Sequence, residues 1–107
     1  MQYDFNVQEP YRTFLIQGIK TIEWRLNKGK FAKMKVWDTL KFETWEIFKI
    51  KKITSHHDFW EMIETFWKES IIPDAKTNEE AHQVYYRFYT PEDEEKYGVL
   101  AVHISLL

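Results

Sequence analysis

The order of apolar patterns along the chain predicts an α+β domain, a small mixed or antiparallel β-barrel with helices at its rim. Three observations predict it. Stretches that suit strands occur at residues 20–26, 36–43, 46–53 and 97–104, the second and third almost touching. Helical spacing fills the interval between the third and the last. No strand–helix–strand rhythm runs through the chain, which argues against a doubly wound parallel sheet. At 107 residues, with no internal repeat, low-complexity run or Gly/Ser linker, residues 1–107 read as one unit.

The elements follow in order. Residues 10–17 suit a short helix: Pro10 is tolerated in a first turn, Tyr11, Phe14 and Leu15 share a face, and Gly18 can end it in a left-handed conformation. In residues 20–26, Thr21, Glu23 and Arg25 alternate with Ile22, Trp24 and Leu26, the pattern of a strand. Residues 27–35 form a basic connection containing Gly29. The second strand carries Leu40 and Phe42 on one face, and the third carries Phe48 and Ile50 inward with lysines outward. Thr44 and Trp45 make the turn between them. Three capping boxes then open helices: Ser55 with Asp58, Thr77 with Glu80, and Thr90 with Asp93. The first carries Phe59, Met62, Ile63 and Phe66 on one face, and the second Ala81, Val84, Tyr85 and Phe88. Pro73 breaks the pattern between them, and the nearly continuous apolar run near the C-terminus reads as a strand buried on both faces.

Composition narrows the function classes. With 44% hydrophobic and 30% charged residues the chain resembles an ordinary folded protein, whereas its 18% aromatic content, including five tryptophans, is high. No run of about 18 apolar residues suggests a membrane span, and the acidic, polar opening does not suit a signal peptide. The absence of cysteine removes disulfides, a zinc knuckle and a thiol nucleophile, and a reducing cytoplasm is the expected location. His56, His57, His82 and His103 lack metal-ligand spacing, and three scattered glycines make no phosphate loop, so neither metal nor cofactor is expected.

The net charge of −2 hides a split. Residues 20–52 carry ten Lys/Arg against four acids, net +6, and residues 53–107 carry four against eleven, net −7. Such a molecule can steer a polyanion to one face.

Within residues 17–26, Lys20, Glu23 and Arg25 put three ionisable groups on a half-apolar ribbon, more than core packing requires. The segment Gly18-Ile19-Lys20-Thr21-Ile22-Glu23-Trp24-Arg25 has the form GxKxxExR and resembles the ASCH family, the activating-signal-cointegrator homology domains. The later basic segment, the Asp before a strand and the closing Tyr-Gly-Val-Leu-Ala-Val strand are similar too. One departure is Trp37-Asp38, where many members have Gly-Asp. The resemblance implies a PUA-like barrel with an open cleft beside the motif strand that binds RNA or nucleotides. One bacterial subgroup of similar layout is an amidohydrolase acting on N4-acetylcytidine through a lysine, a threonine and a glutamate. Lys20 matches its lysine, Glu23 stands where its threonine would be, and its glutamate falls near Asp74.

The residues support distinct expectations. Arg25 offers a planar fork for phosphate or carboxylate, and Glu23 can accept hydrogen bonds from a base or act as a general base. Lys20 would join them only if the backbone after Gly18 is irregular, and a structural Lys–Glu–Arg network is the alternative. Lys28 and Lys30 are expected to flank a bound nucleic-acid backbone. Trp37 and Trp45, near strand ends, suit base stacking, whereas Trp24, Trp60 and Trp67 suit packing. In the leading reading the chain is a nucleotide- or RNA-binding module. In the enzymatic alternative it hydrolyses an amide of an N4-acylated cytidine-type nucleoside through Lys20, Glu23 and Asp74, with Thr21 as a weaker candidate nucleophile. A third reading is a protein-interaction module using the acidic segment 92–95.

Overall fold

A computed structural model describes residues 1–107. Five strands form one curled, mixed sheet in the order β1-β3-β4-β5-β2, an open half-barrel with helices packed against it. The strands are β1 (Gln2–Phe5), β2 (Ile22–Leu26), β3 (Thr39–Phe42), β4 (Ile47–His56) and β5 (Val99–Leu106). The helices are α1 (Tyr11–Gln17), α2 (Phe59–Phe66), α3 (Lys68–Ile71), α4 (Asn78–Tyr85) and α5 (Pro91–Tyr97), and a 3-10 turn (Gly29–Lys33) occupies the basic connection. None of these helices is long and apolar enough to cross a membrane.

The sheet separates two hydrophobic clusters. On one face Ile22, Trp24, Val99 and Ala101 meet Phe59, Met62, Ile63, Ile71, Ala81 and Tyr85 of the helices. On the other, Leu100, Val102 and Ile104 join Phe5, Leu40, Phe42, Phe48 and Ile50 inside the curl. Strand β5 therefore supplies side chains to both clusters in alternation, which is why its sequence is apolar at nearly every position.

Helix α1 ends as its glycine predicts. Gly18 adopts φ +78, its amide donates to the Leu15 carbonyl, and the Ile19 amide donates to Phe14 at 2.9 Å, the paired bonds of a Schellman motif. Thr77 and Thr90 cap α4 and α5, each accepting from the amide three residues on, and Pro91 opens α5 at N1.

The structure departs from the sequence reading in several places. Strand β1 is additional: it pairs in parallel with β3, the Thr39 amide donates to the Met1 carbonyl, and the N-terminal ammonium lies 2.9 Å from Asp38. Helix α2 is capped by Asp58, which accepts from the Glu61 amide at 2.8 Å, and not by Ser55. Ser55 remains in β4 because β5 continues pairing as far as His56↔Val99. Phe88 lies beyond α4 in a loop, and Tyr97 belongs to α5 rather than to the last strand. Gly98 sits between them at φ +75, where an added Cβ would meet the His56 carbonyl at 3.3 Å.

Trp37 and Trp45, with Trp67, have positive φ (78, 77 and 69) and are largely exposed. Trp45 closes the β3–β4 hairpin at a position that glycine would occupy without strain. Trp37 has the same left-handed backbone, φ 78, just before β3.

Candidate functional site

The first and last strands of the sheet, β1 and β2, do not pair with one another, so the curl has an open seam. Side chains bridge it. Glu23 and Arg25 lie opposite Val102 and Leu100 of β5 and therefore face the inside of the curl. Arg25 Nη2 donates across the seam to the Asn6 carbonyl at 2.6 Å and to Glu23 Oε2 at 3.1 Å. Its guanidinium carbon is 4.7 Å and 4.8 Å from the ring centres of Phe5 and Phe31. A planar cation between two rings suits arginine better than lysine.

Glu23 is only 3% exposed. Its Oε1 accepts from the Trp24 amide at 3.2 Å and lies 3.3 Å from Lys20 Nζ. The two oxygens of a carboxylate offer about four acceptor sites, so these contacts leave capacity for another donor.

Lys20 reaches Glu23 because the chain after Gly18 is irregular. The Lys20 amide returns to the Phe14 carbonyl and the Thr21 amide donates to Ser70, which turns the Lys20 side chain beneath the strand. Its ammonium donates to the carbonyls of Ile22 at 2.5 Å and Ile71 at 2.6 Å, and stands 4.3 Å from the Trp24 ring centre. Burial pushes its pKa down to about 8, against the raising influence of Glu23. At 1% exposure, with three oxygen partners for its three protons, Lys20 secures Glu23 from behind and does not itself line the cleft.

The seam opens into a cleft of about 440 Å³. Tyr11, Trp24, Phe88 and Tyr89 supply aromatic surface, and Glu23 and Arg25 supply the polar floor. Tyr11 and Phe88 meet the Trp24 ring edge-on, at 5.7 Å and 6.2 Å between centres. Arg12, Glu43, Asn6 and Gln8 form much of the polar rim. Burial raises the hydroxyl pKa values of Tyr11 and Tyr89 above the ordinary value, so both are neutral hydrogen-bonding groups near pH 7.

Several sequence candidates lie elsewhere. Thr21 is exposed and not part of the cleft lining, and Asp74 is an exposed loop residue without an ion pair. Of the hydrolase candidates, Glu23 lines the cleft, Lys20 stands behind it, and the charge of Asp74 acts on Lys20 and Tyr11 from outside the lining. Lys28 stands 5.0 Å from the Tyr97 ring centre, Lys30 donates to the Asp4 carbonyl, and Trp37 accompanies Lys49 on the outside of the sheet. In the acidic segment, Glu94 is turned inward, accepting from the Phe59 amide and the Tyr86 hydroxyl.

The sequence reading did not place Asn6, Tyr11, Arg12, Glu43 or Phe88 in the cleft. Phe88-Tyr89 carried a signal, two aromatics immediately before a helix cap. Asn6 and Glu43 carried none, since their place depends on the parallel β1–β3 pairing.

Comparison with known proteins decides the family. The ASCH domain model matches residues 5–107.

The chain belongs to the ASCH domain family.

Solved structures agree with this ASCH fold. The crystal structure of hypothetical protein PH0355 matches with a TM-score of 0.95 and 36% identity over 100% of both chains. The solution structure of protein PF0455 from Pyrococcus furiosus matches with a TM-score of 0.87 and 36% identity, over 100% of this chain and 98% of that one. Among curated proteins, none matches the chain.

Proposed function

We propose that this ASCH domain binds the base of a nucleotide or of RNA in the seam cleft. The observation that carries the reading is Glu23, a buried carboxylate fixed by Lys20 and Arg25, with acceptor capacity left toward an aromatic-walled cleft. A planar heterocycle with an exocyclic amine or ring N–H complements that combination: its faces meet Tyr11, Phe88 or Tyr89, and its donor meets Glu23. Arg25 already serves Glu23 and Asn6, so its part is to orient the carboxylate. Arg12, on the rim with only a 3.4 Å pairing to Glu9, is the cation better placed for a phosphate.

Calorimetric titration with nucleosides, nucleoside monophosphates and a short single-stranded RNA at two salt concentrations tests this. Phe88→Ala weakens all three by a factor corresponding to about 1–3 kcal/mol of lost stacking. Arg12→Ala weakens the phosphorylated ligands and flattens their salt dependence while sparing nucleosides. Absence of binding across the panel, or binding indifferent to Phe88→Ala, contradicts the proposal.

A further inference from the structure

The outer face of the β3–β4 hairpin carries two tryptophans that the fold does not need for packing. Trp37 is 72% exposed and Trp45 is 75% exposed. Both hold a left-handed backbone that glycine would adopt without strain. Each is accompanied by a lysine: Lys41 Nζ lies 4.0 Å from the Trp45 ring centre, and Lys49 Nζ lies 5.0 Å from that of Trp37. In the hairpin register Lys41 opposes Ile47 and Lys49 opposes Thr39, so both lysines project from the same face, away from buried Leu40, Phe42, Phe48 and Ile50.

This face is continuous with the seam cleft. A second groove is lined by Asp4, Phe5, Asn6, Lys41, Phe42, Glu43 and Trp45, and it shares Asn6 and Glu43 with the cleft. Lys30 reaches the Asp4 carbonyl at its border. Asp4 and Glu43 are the carboxylates of this groove, and Glu43 is engaged by the Asn6 amide at 3.1 Å. The hairpin belongs to the segment of residues 20–52, whose net charge is +6.

We infer that this face is a second platform for single-stranded nucleic acid, over which a strand anchored in the cleft continues past Trp45 and Trp37. The inference rests on the cleft reading for its starting point. Exposed rings beside lysines match a polymer that alternates bases with phosphates. A protein partner of ordinary composition would not require a lysine at each ring. Trp45 and Trp37 stack bases in a sequence-tolerant manner, and Lys41 and Lys49 meet the intervening phosphates.

The test compares a nucleoside monophosphate with a mixed-sequence RNA of eight nucleotides, using wild type, Trp37→Gly, Trp45→Gly and Lys41→Gln. Glycine suits both left-handed positions, so the variants retain the fold, which circular dichroism checks. The octamer binds wild type at least about 10-fold more tightly than the monophosphate, and each tryptophan variant loses about 5-fold or more for the octamer alone. Lys41→Gln lowers the salt dependence of octamer binding. Equal affinities for the two ligands, or tryptophan variants with unchanged octamer affinity, overturn the platform and leave the cleft reading intact. Octamer binding that depends on both tryptophans, with no monophosphate binding and no effect of Phe88→Ala, keeps the outer face as a nucleic-acid surface but overturns its anchoring in the cleft, together with the cleft reading. Self-association abolished by Trp45→Gly, with octamer affinity unchanged, assigns the face to a second copy of the chain and overturns the inference.

Discussion

Lys20 Nζ lies 3.3 Å from Glu23 Oε1, and both residues are almost fully buried at the edge of an open half-barrel. Neither charge would be stable there alone. Lysine finds the Ile22 and Ile71 carbonyls, and the carboxylate finds the Trp24 amide and Arg25. Strand β2 is thereby tied to the end of α3 from behind and to the chain after β1 in front, with Glu23 the shared member.

Removing Lys20 takes one of two cations from a buried carboxylate, which keeps Arg25 and the Trp24 amide. Lys20→Met is expected to destabilise the fold by about 3–5 kcal/mol in urea unfolding. Glu23→Gln in the Lys20→Met background recovers part of that loss, because the buried negative charge that lost its ammonium is gone. Additive losses in the double variant would show that the two groups are not coupled.

The same pair gives a signed pH dependence. The folded Lys20 pKa is about 8 against 10.5 for the unconstrained side chain, so between these values the unfolded chain binds a proton that the folded chain has released. Stability from this group rises as pH increases through that window, and below about 8 the penalty of the buried charge is present in full. The raised tyrosine values act in the opposite sense above about 10, so the comparison of wild type with Lys20→Met belongs between pH 8 and 10. A flat difference between the two proteins across that range contradicts the assignment.

His103 gives a second window. Burial, with Lys52, His56 and Lys51 nearby, pushes its pKa from 6.5 to about 4. Its Nε2 is buried without a partner, and its ring meets Phe66 edge-on at 4.6 Å. Between pH 6.5 and 4 the unfolded chain takes up a proton that the folded chain refuses, so stability falls as pH drops and the loss is complete below about 4. His103→Gln removes that component of the acid destabilisation. Identical acid unfolding curves for the variant and wild type would contradict it.

Trp45→Gly and Trp37→Gly are expected to change stability by less than about 1 kcal/mol in either direction. Relief of a left-handed side chain, about 1–2 kcal/mol, is offset by the roughly 0.5–1 kcal/mol entropic cost of glycine and a lost surface cation–π contact. Losses above about 3 kcal/mol by thermal unfolding would show instead that these rings pack like core residues.

Local chemistry made much of the fold legible. Gly18, Thr77, Thr90 and Pro91 act within one turn of where they stand, and Leu40, Phe42, Phe48 and Ile50 follow strand alternation into the curl. Strand β1 was not legible because Gln2–Phe5 is short, mostly polar and stabilised by parallel pairing with a strand more than thirty residues away. Ser55 and Asp58 begin overlapping capping boxes, and pairing with β5 decides between them. In the site, the shared face of Glu23 and Arg25 followed from alternation. The inward course of Lys20 did not, because its partner, the Ile71 carbonyl, is 51 residues away.

The most direct test of a base-binding seam is amide chemical-shift mapping during titration with a panel of nucleoside monophosphates. A base bound in the seam gives saturable shifts gathered at residues 6–12, 23–25 and 88–89, the segments that surround Glu23. No saturable shifts, or shifts confined to helix α5 and the remote surface, would contradict it.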